Sequence, residues 1–208
     1  MRYLIGLFLL AGCAAMPSQQ SADERFQAHA ARVLDATWQE FPEFAVRNGN
    51  YKYADQLTVP DQARRERTVA FYDRQLAALA VFDRSALSPS NRVDLDILKN
   101  RFERGRWYLV TFKAWQWQPS TYNVGPDLDL VLDTDYAPLE VRLRQTLSRL
   151  AAVPAYYAAA QASIADPTAE HVDLALRQNK GALAIFGAEL VKKVERGELK
   201  PSPTHLGG

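Results

Sequence analysis

The chain is poor in the residues that usually advertise chemistry. It has a single cysteine, Cys13, so no disulfide within the chain is possible. It has three histidines, His29, His171 and His205. None sits in His-Glu-x-x-His, and no two are four apart, so no zinc site is expected from this chain alone. The inverted zinc motif fails too, because Pro167 stands where its first His would be. Gly-x-Ser-x-Gly and both glycine-rich phosphate loops are absent. No catalytic residue is expected. No apolar run reaches the roughly 20 residues of a membrane span. No segment alternates apolar and polar residues long enough to demand a strand. Net charge is +1, which gives no footprint for nucleic acid.

What is present is an ordinary globular balance, 48% apolar and 24% charged over 208 residues. The N-terminus stands apart. Arg2 and the apolar Tyr3–Leu10 read as a secretory signal. Leu10-Ala11-Gly12-Cys13 resembles the bacterial lipobox, in which the Cys is lipidated and becomes the new N-terminus. The alternative is an ordinary signal peptide with a chance cysteine. The lipobox reading gives residues 1–12 as signal peptide and 13–21 as a lipidated tether, with palmitate-type acyl chains on Cys13. Each buried acyl CH₂ contributes about 0.8 kcal/mol, so several chains anchor stably. Ala14 follows, where an Asp would favour the inner membrane. The expected address is therefore the cell envelope, facing the periplasm from the outer membrane.

Residues 22–208 read as one all-α domain, an antiparallel bundle of about six to seven helices with proline-started turns. Ser21 or Asp23 can cap a helix from Ala22 to Phe41. Pro42 can open a short one to Arg47, ended by Asn48-Gly49-Asn50. Tyr51 to Val59 reads as loop. Helices follow over Pro60–Phe82, with a seam of Val69, Tyr72, Leu76 and Leu79, and over Pro89–Ala114. Arg64 and Arg65 fall outside that seam and are expected in solvent. Gly105 falls on an apolar stripe, as a close helix–helix approach would require. Asp127 to Leu132 is helical or extended, with Asp127 and Asp129 solvated. Asp133-Thr134-Asp135 can cap what comes next. Pro138 opens a helix with Leu139, Leu143, Leu147 and Leu150 inward, and Pro154 opens another. The last spans Thr168–Arg196, with Val172, Leu176, Leu183, Phe186, Leu190 and Val194 as its buried stripe.

Between the two helical blocks lies Trp115-Gln116-Trp117-Gln118-Pro119-Ser120-Thr121-Tyr122-Asn123-Val124-Gly125-Pro126, with two of the four tryptophans. Trp115, Trp117 and Tyr122 either line a cleft for a peptide or other organic ligand, or plug the bundle with their N–H and O–H groups bonded.

Several segments together resemble one bacterial family, that of domain of unknown function 885. They are Phe41-Pro42-Glu43 with Tyr53; Leu87-Ser88-Pro89 with Arg92, Asp94, Asp96 and Leu98; Trp117-Gln118-Pro119 with Tyr122; and Asp135-Tyr136-Ala137-Pro138-Leu139, Arg142-Leu143, Arg149-Leu150 and Val153-Pro154. The likeness covers nearly all of the expected mature chain but only the N-terminal part of the family pattern. It implies a lipoprotein and a peptidase-like relative, whose His-Glu and Pro-Gly-His zinc motifs belong to a C-terminal part that has no counterpart here. The implied reading is the N-terminal portion of a longer protein, not catalytic by itself. The alternatives are a metal-dependent peptidase completed by a second chain, or a ligand- or partner-binding lipoprotein. Zinc is expected only with the missing part. The partners implied are the membrane, through Cys13, and a C-terminal half or partner chain.

Overall fold

Ser21 shows how closely local chemistry sets this architecture. Its hydroxyl accepts from the Glu24 N–H at 3.1 Å, and the Glu24 carboxylate accepts from the Ser21 N–H at 2.8 Å. This reciprocal box starts α1, Ala22–Glu40. The computed structural model describes residues 20–184 together with Gly187 and Val191. The signal segment, Cys13, His205 and residues 192–208 lie outside the described residues. Among those described the order is all-α: α1, α2 (Pro42–Arg47), α3 (Gln62–Leu79), α4 (Pro89–Trp107), α5 (Ala114–Trp117), α6 (Gly125–Asp133), α7 (Leu139–Ser163) and α8 (Ala169–Ala184).

Most boundaries follow from caps and prolines. Pro42 opens α2, and Gly49 ends the following turn at φ 84°. Asp61 caps α3 and Ser88 precedes Pro89 at the start of α4. Asp23 also accepts from Ser88 N at 2.9 Å and Asn91 Nδ2 at 2.6 Å, which ties the starts of α1 and α4 together. A 3₁₀ turn, Tyr51–Tyr53, stands within the expected loop.

The first core lies where α1, α3 and α4 meet, around Phe26, Val33, Phe71, Leu79, Leu95 and Phe102. The α3 seam is offset from the expected one. Thr68 and Phe71 are buried, whereas Val69 is half-buried. Thr68 can face inward because its hydroxyl donates to the Glu40 carboxylate at 2.7 Å. Gly105 stands where α4 crosses α3. A Cβ there would lie 2.5 Å from the Tyr72 ring.

The second core is different. Ala45, Val46, Tyr53, Ala54 and Val131 form its apolar part, with the Tyr51 and Tyr136 rings stacked at 3.8 Å. Its largest buried side chain is Arg149, which donates to Ala54 O and Asp127 O at 2.7 Å each and to Tyr53 O at 3.5 Å. Arg142, also buried, reaches Leu132 O, Ala137 O and the Asp135 carboxylate.

That arrangement corrects several expectations. The inward face of α7 is Leu139, Arg142, Thr146 and Arg149, and Leu147 is 62% exposed. The arginines win the interior because loop and helix-end carbonyls there need donors. Asp135 serves Arg142 and does not cap α7, whose N-cap is Pro138 without a side-chain bond. Pro154 does not start a new helix but sits within α7. It is solvent-exposed, where water can serve the carbonyl its missing N–H leaves open. Asp127 is buried against Arg47 and not solvated. Arg64 and Arg65 are half-buried, not free in solvent. The described part of the α8 stripe expected inside is turned outward, with Leu176 60% and Leu183 76% exposed, while Ala175 is buried; Phe186, Leu190 and Val194 lie outside the described residues. The small side chain suits the close approach seen at Gly125, whose added Cβ would lie 2.7 Å from Ala182 Cβ.

Candidate functional site

The expected long helix stops at Trp107 and widens into a π-helical turn, Tyr108–Phe112. Lys113 then takes a left-handed conformation at φ 50°. A non-glycine residue pays strain for that backbone, and such strain gathers at sharp re-aimings of the chain. Here it turns the chain into α5, which carries Trp115 and Trp117.

Every polar handle of the loop's aromatics is spent on a nearby carbonyl. Trp115 Nε1 donates to Leu109 O at 3.0 Å, Trp117 Nε1 to Phe112 O at 3.1 Å, and Tyr122 Oη to Trp115 O at 2.7 Å. Burial holds the Tyr122 hydroxyl above the usual tyrosine range. The backbone of α5 is joined to the α7–α8 turn as well. Gln116 O accepts from the N–H groups of Ala165 (2.8 Å) and Asp166 (3.3 Å), and Trp117 O accepts from Thr168 N at 3.4 Å.

The three aromatics therefore have three settings. Tyr122 is buried. Trp117 packs edge-on against Phe112 at 5.1 Å and against His171 at 5.3 Å. Trp115 faces a groove of about 740 Å³, whose walls include Gln62, Val69, Leu109 and Ser163. The Arg65 guanidinium lies 4.1 Å from the centre of the Trp115 ring. It is held there by Pro60 O at 2.7 Å and Ser163 Oγ at 2.9 Å. The groove offers an apolar floor, an indole capped by one positioned cation, and the carboxylates of Glu66 and Asp73 in its walls, the ingredients of an organic-ligand site.

Sequence reasoning missed Arg65 here, because an arginine outside an apolar seam reads as solvated. The only hint was its place one turn from Pro60, at the start of α3.

No group of three metal-ligating side chains occurs among the described residues, so these residues do not offer zinc a donor set. His171 Nδ1 lies 2.6 Å from Thr168 Oγ1. His29 lies against the Phe82 ring at 5.2 Å, with Nε2 buried and unpartnered among the described residues. Burial, and then Arg32, hold its pKa below the usual value.

The family model described as "Bacterial protein of unknown function (DUF885)" matches residues 42–204. A solved structure from Shewanella oneidensis, described as a lipoprotein of unknown function, is similar at 36% identity with a TM-score of 0.80. The match covers 85% of this chain and 32% of that one, so this chain spans about a third of the neighbour's length. A search of curated proteins gives no match.

Proposed function

Starting from the fact that this chain belongs to the DUF885 family, we propose that it is an envelope-anchored helical lipoprotein, one wall of a larger zinc-peptidase-like architecture with no catalytic centre of its own. The observation that carries this reading is the outward apolar side of α8, with Leu176 60% and Leu183 76% exposed. Exposed apolar side chains along one helix mark a surface that another protein element covers. The similar Shewanella oneidensis protein is about three times as long as the matched region, which is consistent with a further element of that kind in a longer relative. The lipobox-like Leu10-Ala11-Gly12-Cys13 supplies the anchor. Zinc, in this reading, enters only with the covering element and brings the water-activating chemistry of a metallopeptidase.

A second reading, ligand binding by the chain itself, is favoured by the Arg65–Trp115 groove. Two experiments test the leading one. Cys13→Ser is expected to move the protein from the membrane fraction to the soluble envelope fraction. Unchanged membrane association would remove the anchor from the proposal. Metal analysis with a peptidase screen on the purified chain is expected to give neither stoichiometric zinc nor turnover. Zinc with turnover in this polypeptide alone would overturn the reading. Turnover only after adding a second chain with the His-Glu and Pro-Gly-His motifs would favour a split peptidase.

A further inference from the structure

Arg65 and Leu109, which line the indole groove, also line a second concavity, of about 500 Å³. Its floor is aromatic. Phe41 and Tyr72 are stacked at 5.8 Å, with Tyr108 and the backbone of Gly105 beside them. It continues into a lobe of about 320 Å³, and Phe41, Glu43, Thr58 and Pro60 line both.

The charge around this floor is uneven. Arg64, Arg101 and Arg104 all act on the Tyr72 phenol, and Glu40 is the one carboxylate that opposes them. Arg65 joins them at the rim, and Glu43 adds one more negative charge there. Of these four guanidinium groups Arg64, Arg65 and Arg104 line the concavity with one carboxylate, Glu43, whereas Arg101 and Glu40 are not among its walls. Rings hold three of the four. Arg64 lies over Phe41 at 5.9 Å, Arg65 over Trp115 at 4.1 Å and Arg101 over Phe44 at 4.1 Å. Arg64 is also bound to Glu40 at 3.2 Å. Glu43 is occupied by Thr58, whose N–H and hydroxyl donate to it at 2.5 and 3.0 Å. Arg104 is exposed and pairs with no carboxylate among the described residues. Cations balanced by rings leave a positive field in the concavity, and a concave wall focuses it.

We propose that this basic groove binds an organic carboxylate, with the acid group on Arg104 and an apolar or aromatic body on Phe41, Tyr72 and Tyr108. One free guanidinium presents a planar fork that matches a carboxylate by two parallel hydrogen bonds. The floor beside it gives the body its surface. The site does not depend on the lipid anchor or on a covering element.

Titration calorimetry on the full chain tests it with four probes: N-acetyl-phenylalaninate, N-acetyl-phenylalaninamide, acetate and inorganic phosphate. N-acetyl-phenylalaninate is expected to bind, more weakly as salt rises, and to exceed acetate and phosphate. N-acetyl-phenylalaninamide, which has the ring without the acid, is expected not to bind. Arg104→Gln should weaken N-acetyl-phenylalaninate about tenfold, the scale of losing one charge-assisted pair. Arg104→Lys should restore part of the affinity. Arg74→Gln, on the exposed side of α3, should leave it unchanged. Equal binding of the amide, equal binding of phosphate, or full affinity in Arg104→Gln with a native melting curve would each overturn the proposal.

Discussion

The two cores solve the same problem in opposite ways. The α1–α3–α4 core is filled by Phe26, Phe71, Leu79, Leu95 and Phe102, with Phe71 and Phe102 edge to face at 5.9 Å. Its backbone groups are satisfied within long helices, so its interior can be dry. The α6–α7 core faces the ends of short elements, where carbonyls of Tyr53, Ala54, Asp127 and Leu132 point inward. Arg149 and Arg142 supply the donors. Regular helices let a core be apolar. Irregular backbone forces polar groups into it.

The largest expected effect strikes at that contrast. Arg149→Met keeps much of the volume but strips the buried carbonyls of their donor, and should cost about 4 kcal/mol in denaturant unfolding. Leu95→Met, an equally conservative exchange in the dry core, should cost less than about 1.5 kcal/mol. If the two variants unfold alike, the cores do not differ as described. Next in size, Gly105→Ala pushes a methyl against the Tyr72 ring. Overpacking should outweigh the better helix propensity and cost about 1–2 kcal/mol, read as a lowered melting temperature. An unchanged Tm would mean that Tyr72 moves aside freely. The smallest effect concerns pH in the first core. His29 is held below its usual pKa of 6.5 by burial first and by Arg32 second. As pH falls through 6.5 the unfolded chain takes up this proton before the folded one. Stability present at neutral pH is therefore lost on acidification. Replacing His29 with Phe should flatten the stability profile between pH 7 and 5. An unaltered slope would assign it to other groups.

The starts of α1 to α4 were legible because these elements are punctuated by residues with one strong preference. Ser21 with Glu24, Pro42, Gly49, Asp61 and Ser88-Pro89 each act within a few residues, so α1 to α4 start close to where local chemistry puts them. The end of α4 was not legible, because a π-helical turn and a left-handed Lys113 answer to packing elsewhere. On α7 the leucine spacing pointed to one face while the buried face was Leu139, Arg142, Thr146 and Arg149. Two arginines one heptad apart were the available signal, and their value depends on carbonyls up to 96 positions away. The same holds for the grooves. Trp115 was visible in the sequence as a candidate, but Arg65, Arg104 and Phe41 converge only through tertiary structure.

The seam between α5 and the α7–α8 turn is made of amide and carbonyl groups, which almost every amino acid carries. It therefore dictates no alphabet for the side chains on either flank. Only a proline at position 165, 166 or 168 would unpick one of its stitches. The segment beside the indole groove can be rewritten letter by letter while the joint stays closed, which makes it a natural place to install new specificities.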